Sequence, residues 1–369
     1  MAAAGAGCGR CPFTYNPPVP SGGLRELRAK PGSWLAKALA LLDRAAFKPV
    51  SLPDDLVTAI ALLPPIVAGL VIFRLPAVQF LGIALVVGAG GVIASRWVWN
   101  RSRGRLGASP LIAALFGVAL VGAGASLLIP LEIAVLAVVF ELLRERYIPA
   151  IRAQMGLLAY AVIAAATRGG PFAYVNPANG AAFGDPLATW YQFFNSGAAP
   201  IDPIRLYVGN VPGPVFATSL LAVAIGVAWL AYARRVSLVV LFGFAVGSLV
   251  AISTLHWDAV FHLDSGPTWF VAGLVLADRR LLPDSWSIRP TLGFAVGLFA
   301  VGLRHPPQGG FLSGHALELA FFTVAIVQAI MAAIVVVIWS ATVTMERWKR
   351  TRRLRQREAN LRVVKTRAS

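Results

Sequence analysis

An all-α polytopic membrane protein is predicted from three observations. Hydrophobic residues make up 57% of the 369-residue chain and charged residues 13%, with a mean hydropathy of +0.71; a soluble domain carries about a quarter charged residues. Apolar runs suited to crossing the ~30 Å hydrocarbon core recur along the chain. The Lys and Arg residues gather between and beyond those runs. A net charge of +17 could suggest nucleic acid, but this placement fits anchors attracted to anionic lipids, and no nucleic-acid partner is expected.

Residues 1–50 read as a cytoplasmic arm followed by an interfacial helix. The first thirty are small, Gly- and Pro-rich and polar, and no apolar run with a small-residue cleavage site follows Met1, so no removable signal peptide is expected. Both cysteines, Cys8 and Cys11, lie here. A C-x-x-C pair could cycle as a dithiol or share a metal with a partner, yet a zinc or iron–sulfur site takes four ligands and no second pair follows. Over Trp34–Lys48, Trp34, Ala38, Leu41, Leu42 and Ala45 share one helical face, which suits a helix lying along the membrane surface.

A first transmembrane block is predicted over residues 51–167. Leu56–Phe73 and Leu75–Ile93 form a pair joined at Arg74. Pro110–Val121 is too short to cross alone, about 18 Å as a helix. Leu127–Leu143 and Met155–Ala166 complete the block. After an extracytoplasmic loop, 168–213, the pattern returns over 214–342: Pro214–Ala233 and Val236–Leu255 joined through Arg234-Arg235, a short Pro267–Ala277, then Leu292–Leu303 and Leu317–Trp339. A basic tail, 343–369, ends the chain. Each block runs long, long, short, spanning, spanning. An interrupted segment at matching places predicts about ten segments in two inverted five-segment repeats, with broken helices meeting near the midplane. With both termini cytoplasmic, 29 of the 33 Lys and Arg fall on the cytoplasmic side, and only Arg74, Arg168, Arg205 and Arg304 outside. A multi-pass protein of a bacterial-type plasma membrane is the expectation.

Chemistry is sought first in the outer loop and the segment after it. Ser196-Gly197-Ala198-Ala199-Pro200 forms one cluster; Gly209-Asn210-Val211-Pro212-Gly213, followed by Thr218-Ser219, forms another; Tyr174-Val175-Asn176-Pro177-Ala178 precedes both. Asn and Gly beside Pro could equally be turn formers. Phe261-His262-Leu263-Asp264-Ser265-Gly266 follows later. Over roughly residues 50–340 the order of these clusters resembles the NqrB/RnfD family, membrane subunits of sodium-pumping NADH:quinone reductases and Rnf electron-transport complexes. That family writes the first cluster D-x-x-S-G-A-T and carries FMN on the Thr hydroxyl. Here Ala199 stands at the acceptor position and Phe193 at that of the Asp, and an alanine has no oxygen to esterify. The resemblance implies a fold akin to urea and ammonium channels, and electron transfer coupled to ion translocation beside flavin- and iron–sulfur-bearing subunits. It also implies FMN or riboflavin held without a covalent bond at Asn176, Pro177, Ser196–Ala199, Gly209, Asn210, Pro212, Gly213, Thr218 and Ser219. A channel-like small-solute transporter, or a non-redox scaffold on the same fold, is the alternative.

All four histidines, His256, His262, His305 and His315, are expected at the outer face with Asp258, Asp264 and Glu318. They could bind a metal, a haem or protons, or sit in an interfacial belt beside Trp257 and Pro306. A free-amide anion site is considered at a helix starting with Pro214, though the proline removes one donor. Asp278, in Ala277-Asp278-Arg279-Arg280, is expected to cap or to pair with Arg279, or to mark an ion path. Intramembrane acids, which an ion pump working alone would show, are lacking, so partner subunits are expected. The tail after Met345 holds ten basic and two acidic residues and is read as a solvated, lipid-contacting helix, or as a dock for an acidic soluble partner.

Overall fold

The computed structural model describes residues 52–99, 109–183, 203–256, 259–283, 285, 287–303 and 316–368. The chain divides into the units Met1–Leu42 and Asp43–Ser369, and all described residues belong to the second. Cys8, Cys11 and the expected surface helix Trp34–Lys48 lie outside the described residues.

The described residues are mostly helical. Helices α1 (Asp54–Phe73), α2 (Leu75–Trp99), α3 (Ser109–Ala119), α4 (Leu128–Tyr147) and α5 (Met155–Ala166) come first. A 3-10 turn (Gly170–Phe172) and a small hairpin, β1 (Tyr174–Val175) with β2 (Ala182–Phe183), follow; then α6 (Pro203–Val208), α7 (Leu220–Tyr232), α8 (Leu238–Thr254) and α9 (Ala259–Leu263). Helix α10 (Gly266–Trp269) passes into a π-helix, Phe270–Leu276, before α11 (Ile288–Gly302) and α12 (Ala316–Ala368). Among the described residues three stretches are long and apolar enough to cross a membrane: Asp54–Phe73, Leu75–Trp97 and Ala320–Thr342. Their outward faces are apolar: Leu63, Val67 and Val71 of α1, Leu85, Val86 and Ile93 of α2, and Ile326, Ile330 and Ile334 of α12 are all exposed. Such surface is stable against lipid tails rather than water. The all-α, membrane-embedded class is the one the composition predicts.

The two short segments are the interior. α3 is buried from Ile112 to Ala119, and the π-helix from Phe270 to Leu276. Phe116 of the one and Phe270 of the other meet edge to face, with ring centroids 5.8 Å apart. Around them helices cross with glycine at the contact. A Cβ on Gly117 of α3 would stand 3.0 Å from the Gly156 carbonyl of α5. Gly243 and Gly247 of α8 back onto the Pro290 and Phe294 carbonyls of α11, and Gly293 and Gly297 of α11 onto those of Val240 and Phe244. This reciprocal G-x-x-x-G pair lets two backbones touch, the contact that substitutes for a hydrophobic drive between helices in lipid.

The turns that reverse the chain are unusual. Arg74, Arg168, Arg234 and His256 have φ of 51–57°, a left-handed region where glycine normally closes a helix. At Arg234 the next amide, Arg235 N, bonds the Leu230 carbonyl (2.8 Å); at Arg168, Gly169 N bonds Ala164 (2.9 Å). Both are Schellman closures. Arg74 joins α1 to α2, and Arg234 lies between α7 and α8.

Three expectations about the segments are corrected. The helix expected from Pro214 starts at Leu220, capped by the Ser219 hydroxyl, which accepts from Ala222 N (3.3 Å). Pro212 and Pro214 disfavour helical backbone at the residues before them, and Val215 and Phe216 find other acceptors, described below. The second short segment is a π-helix over most of its length. The basic tail is not a separate helix: α12 runs unbroken for 53 residues.

Candidate functional site at the junction of the buried helices

The segment Gly209–Ser219 reaches into the middle of the molecule. Gly209 has φ +93°, and a Cβ there would stand 2.6 Å from Ser219 Cα, so the two ends of the segment touch. Asn210 is exposed, while Val211 to Ser219 are buried. Val215 N donates to the Val121 carbonyl (2.9 Å) and Phe216 N to that of Ala119 (3.1 Å), with Pro214 bridged to Gly122. The segment thus satisfies the carbonyls where α3 breaks off. On its other side the Thr218 carbonyl packs on Gly266, the first residue of α10, where no Cβ would fit.

The neighbouring loops join the same knot. Gly122 N bonds Pro171 O (2.9 Å) and Gly124 N bonds Ala173 O (2.8 Å), which ties in the hairpin. Asn176 and Pro177 form its turn: the Asn176 carboxamide oxygen accepts from Ala178 N (3.0 Å), and Asn176 N donates to Ala181 O (2.8 Å). That is an Asx turn. At the start of α10 the Ser265 and Thr268 hydroxyls bond each other (2.9 Å), and Trp269 Nε1 donates to Leu263 O (2.7 Å). His262, in α9, is buried; His256, at the end of α8, is exposed. Ser196, Gly197, Ala198, Ala199, His305 and His315 lie outside the described residues, as does the Glu318 side chain.

The structure therefore brings together Gly209, Pro212, Gly213, Thr218 and Ser219 with the ends of α3 and α10, and links Asn176 and Pro177 through Gly122–Gly124. The polar groups of the knot face one another. Thr218 Oγ1 donates to the Pro214 carbonyl, and the Ser219 hydroxyl caps α7. Among the described residues the segment leaves Asn210 as its exposed polar side chain. Among the described residues no three His, Cys, Asp or Glu side chains group as a metal site.

A second cluster, which the sequence reading did not assemble, closes the other end of the π-helix. Asp278 is buried; Arg280 Nε lies 3.2 and 3.0 Å from its two oxygens and Nη2 at 2.7 Å, while Arg280 N donates to Oδ1 (2.9 Å). Arg280 Nη2 also reaches Thr58 of α1 (2.9 Å). Arg235 Nη1 donates to Asp54 (2.6 Å), and its Nη2 is 3.9 Å from Asp278. The expected partner was Arg279; its Nε instead donates to Val236 O (3.2 Å), while its amide bonds Arg235 O (2.8 Å) and Ser237 N bonds Ala277 O (2.8 Å). Burial pushes the Asp278 carboxyl up to about 7; Arg235 pulls it back and Asp54 adds to the rise. The D-R-R and R-R dipeptide runs were the visible signal, but nothing local in them shows that residues 54, 235 and 278 meet.

A third carboxylate, Glu141, is buried in α4 and held by Arg144 and by the Ser109 hydroxyl at the start of α3. Gln328, buried in α12, accepts from Gln154 N (2.9 Å) at the start of α5. Comparison with protein-family models and with curated proteins returned no match for this chain.

Proposed function

We propose that this chain is the membrane subunit of an Rnf/Nqr-like electron-transport complex, working beside flavin- and iron–sulfur-bearing partner subunits that supply the redox groups. In this reading it is a multi-pass plasma-membrane protein of two inverted five-segment repeats with both termini in the cytoplasm. The single observation that carries the reading is the ordered series of clusters from Tyr174 to Gly266 resembling the NqrB/RnfD pattern. Its support in the fold is that these clusters converge: Gly209–Ser219 is bonded to the end of α3 and packed on the start of α10. The matching positive-φ arginines, Arg74 and Arg234, and the two buried short helices support the repeat. Asn210, exposed at the start of the buried Gly209–Ser219 segment, with Ser196–Ala199 before it, marks the side that adjoins a flavin, FMN or riboflavin, carried without a covalent bond to this chain.

Phe116 and Phe270 fill the contact between the two short helices, which favours a subunit over a solute channel with an open lumen between them. The test is an absorbance spectrum and intact mass of the protein purified in mild detergent from its native membrane. A flavin or iron–sulfur spectrum in a co-purifying complex, with unmodified mass for this chain, is the expected result. A mass increment equal to FMN would show that another residue has replaced position 199 as acceptor. A colourless preparation without redox subunits that conducts small solutes in liposomes overturns the proposal in favour of the transporter.

A further inference from the structure

Beyond its apolar stretch, α12 continues into a strongly basic segment. The span Ala320–Thr342 continues without a break to Ala368. Those 26 further residues, at ~1.5 Å each, make about 39 Å of helix. Between Arg347 and Arg367 stand ten Lys and Arg, against Glu346 and Glu358. At 3.6 residues per turn the cations fall on every side of the helix: Arg347 and Lys365 share one, Lys349 and Arg367 nearly the opposite one.

Two features argue against the membrane surface as the partner of the distal part of this helix. A helix lying in the interface needs a broad apolar face opposite its charges, and this one has cations all round. A helix that leaves the bilayer as the continuation of a span also carries its charges away from the headgroups. Arg357 lies fifteen residues, about 22 Å, past Thr342, well over the ~8 Å screening length of physiological salt.

One stripe mixes apolar residues with arginines: Leu354, Leu361 and Ala368 recur every seven residues, with Val364 three after Leu361, and Arg350 and Arg357 stand at the heptad positions beside Leu354. This is the spacing that seats one helix against another. A second copy of the tail is a poor occupant, because each copy brings ten cations and two anions to the contact. A nucleic acid would use the cations and leave the stripe idle. We propose that residues 346–368 dock an acidic α-helical segment of a partner protein in the adjoining aqueous compartment. The partner's apolar residues seat along Leu354, Leu361, Val364 and Ala368, and its carboxylates meet the arginines. Eight of the ten cations are Arg, whose guanidinium holds a carboxylate through two parallel hydrogen bonds. The inference depends on the helix and its charge, and stands whether or not the partner carries electrons.

The test uses the full chain in nanodiscs of zwitterionic lipid, titrated with a synthetic peptide of four heptads bearing Leu at the core positions and Glu flanking them. Saturable binding is expected, weakened about tenfold or more by the pair Leu354→Ser and Leu361→Ser, which leaves every charge in place. The pair Arg350→Gln and Arg357→Gln should weaken it comparably and flatten its salt dependence. Unchanged affinity in the leucine pair overturns the proposal, because attraction to any polyanion would explain the binding. Tighter binding of a duplex DNA probe overturns it as well. So does protection of the tail from protease by anionic-lipid nanodiscs alone, which would assign the cations to lipid.

Discussion

The carbonyl of Ala61 lies against Gly226 on the facing helix. Pro65 has no amide to bond that carbonyl within α1, and α7 brings a residue without a side chain to it. A proline pair in a spanning helix thus creates a polar spot that a glycine on the neighbour covers, with Cα–H groups as weak donors. Trp229 Nε1 adds a direct bond to the Val57 carbonyl one turn earlier (3.1 Å).

Gly226→Val puts methyl groups where the Ala61 backbone stands. It should force α1 and α7 apart and cost about 1–3 kcal/mol, the usual range for overpacking. Thermal unfolding in detergent reads this as a lower Tm. Gly82→Ala, at an open position of α2, should leave Tm unchanged or slightly raised, since alanine is the better helix former by about 1 kcal/mol.

Gly297→Leu should prevent α8 and α11 from closing, because the added side chain meets the Phe244 backbone. The expected readout is loss of a monodisperse peak in size-exclusion chromatography. Gly302→Ala on the same helix, where the nearest atom to the new Cβ is 3.8 Å away, should elute like the wild type.

Arg234→Gly should stabilise the fold by about 1 kcal/mol, because the left-handed backbone at Arg234 costs a residue with a Cβ roughly that much and glycine nothing. Arg234→Val should lower Tm, since a β-branched side chain suits positive φ worst. A Tm unchanged by either substitution would show that the turn relaxes freely.

Asp278 sets a pH dependence with a definite sign. Its native carboxyl titrates near 7 against an ordinary 3.8, so the folded chain holds that proton more tightly than the unfolded one. Its contribution to stability is full below about pH 4 and is lost as pH rises toward 7. Tm measured between about pH 5 and 7.5 should fall more steeply for the wild type than for Asp278→Asn. Arg235→Gln, which removes the cation that pulls the carboxyl back, should move the titration to higher pH. A flat Tm profile in the wild type would refute the assignment.

Much of the fold is legible in the sequence because lipid imposes a simple rule: apolar runs become helices, and charge marks their ends. The expected Met155–Ala166 helix is found over those residues, and Arg74 and Arg234 sit at the predicted turns. The start of α7 was misread because Pro214–Ala217 is as apolar as the helix behind it; hydropathy is blind to whether an amide bonds its own helix or the Val121 carbonyl. The hairpin at Asn176–Pro177 was visible as turn chemistry. The Asp54–Arg235–Asp278–Arg280 cluster was not, since it gathers three distant stretches of chain, and no local period encodes such a meeting. Glu141 falls inside the predicted span Leu127–Leu143 and carries no expectation there, although the Glu141-x-x-Arg144 spacing of a helical ion pair is visible in the sequence.

The bonds from Val215 and Phe216 back to Val121 and Ala119 also set a schedule for biogenesis. The two acceptors leave the ribosome about 95 residues before their donors do. At synthesis rates of roughly 5–20 residues per second, they wait on the order of 5–20 s. During that interval the end of α3 is a half-finished edge inside the membrane, where an unbonded carbonyl costs several kcal/mol. Until the donors arrive, the carbonyls of Ala119 and Val121 need water, lipid headgroups or an insertion chaperone as partners. The polypeptide that releases this escort is the short stretch Pro214–Phe216, arriving ahead of the second half it introduces.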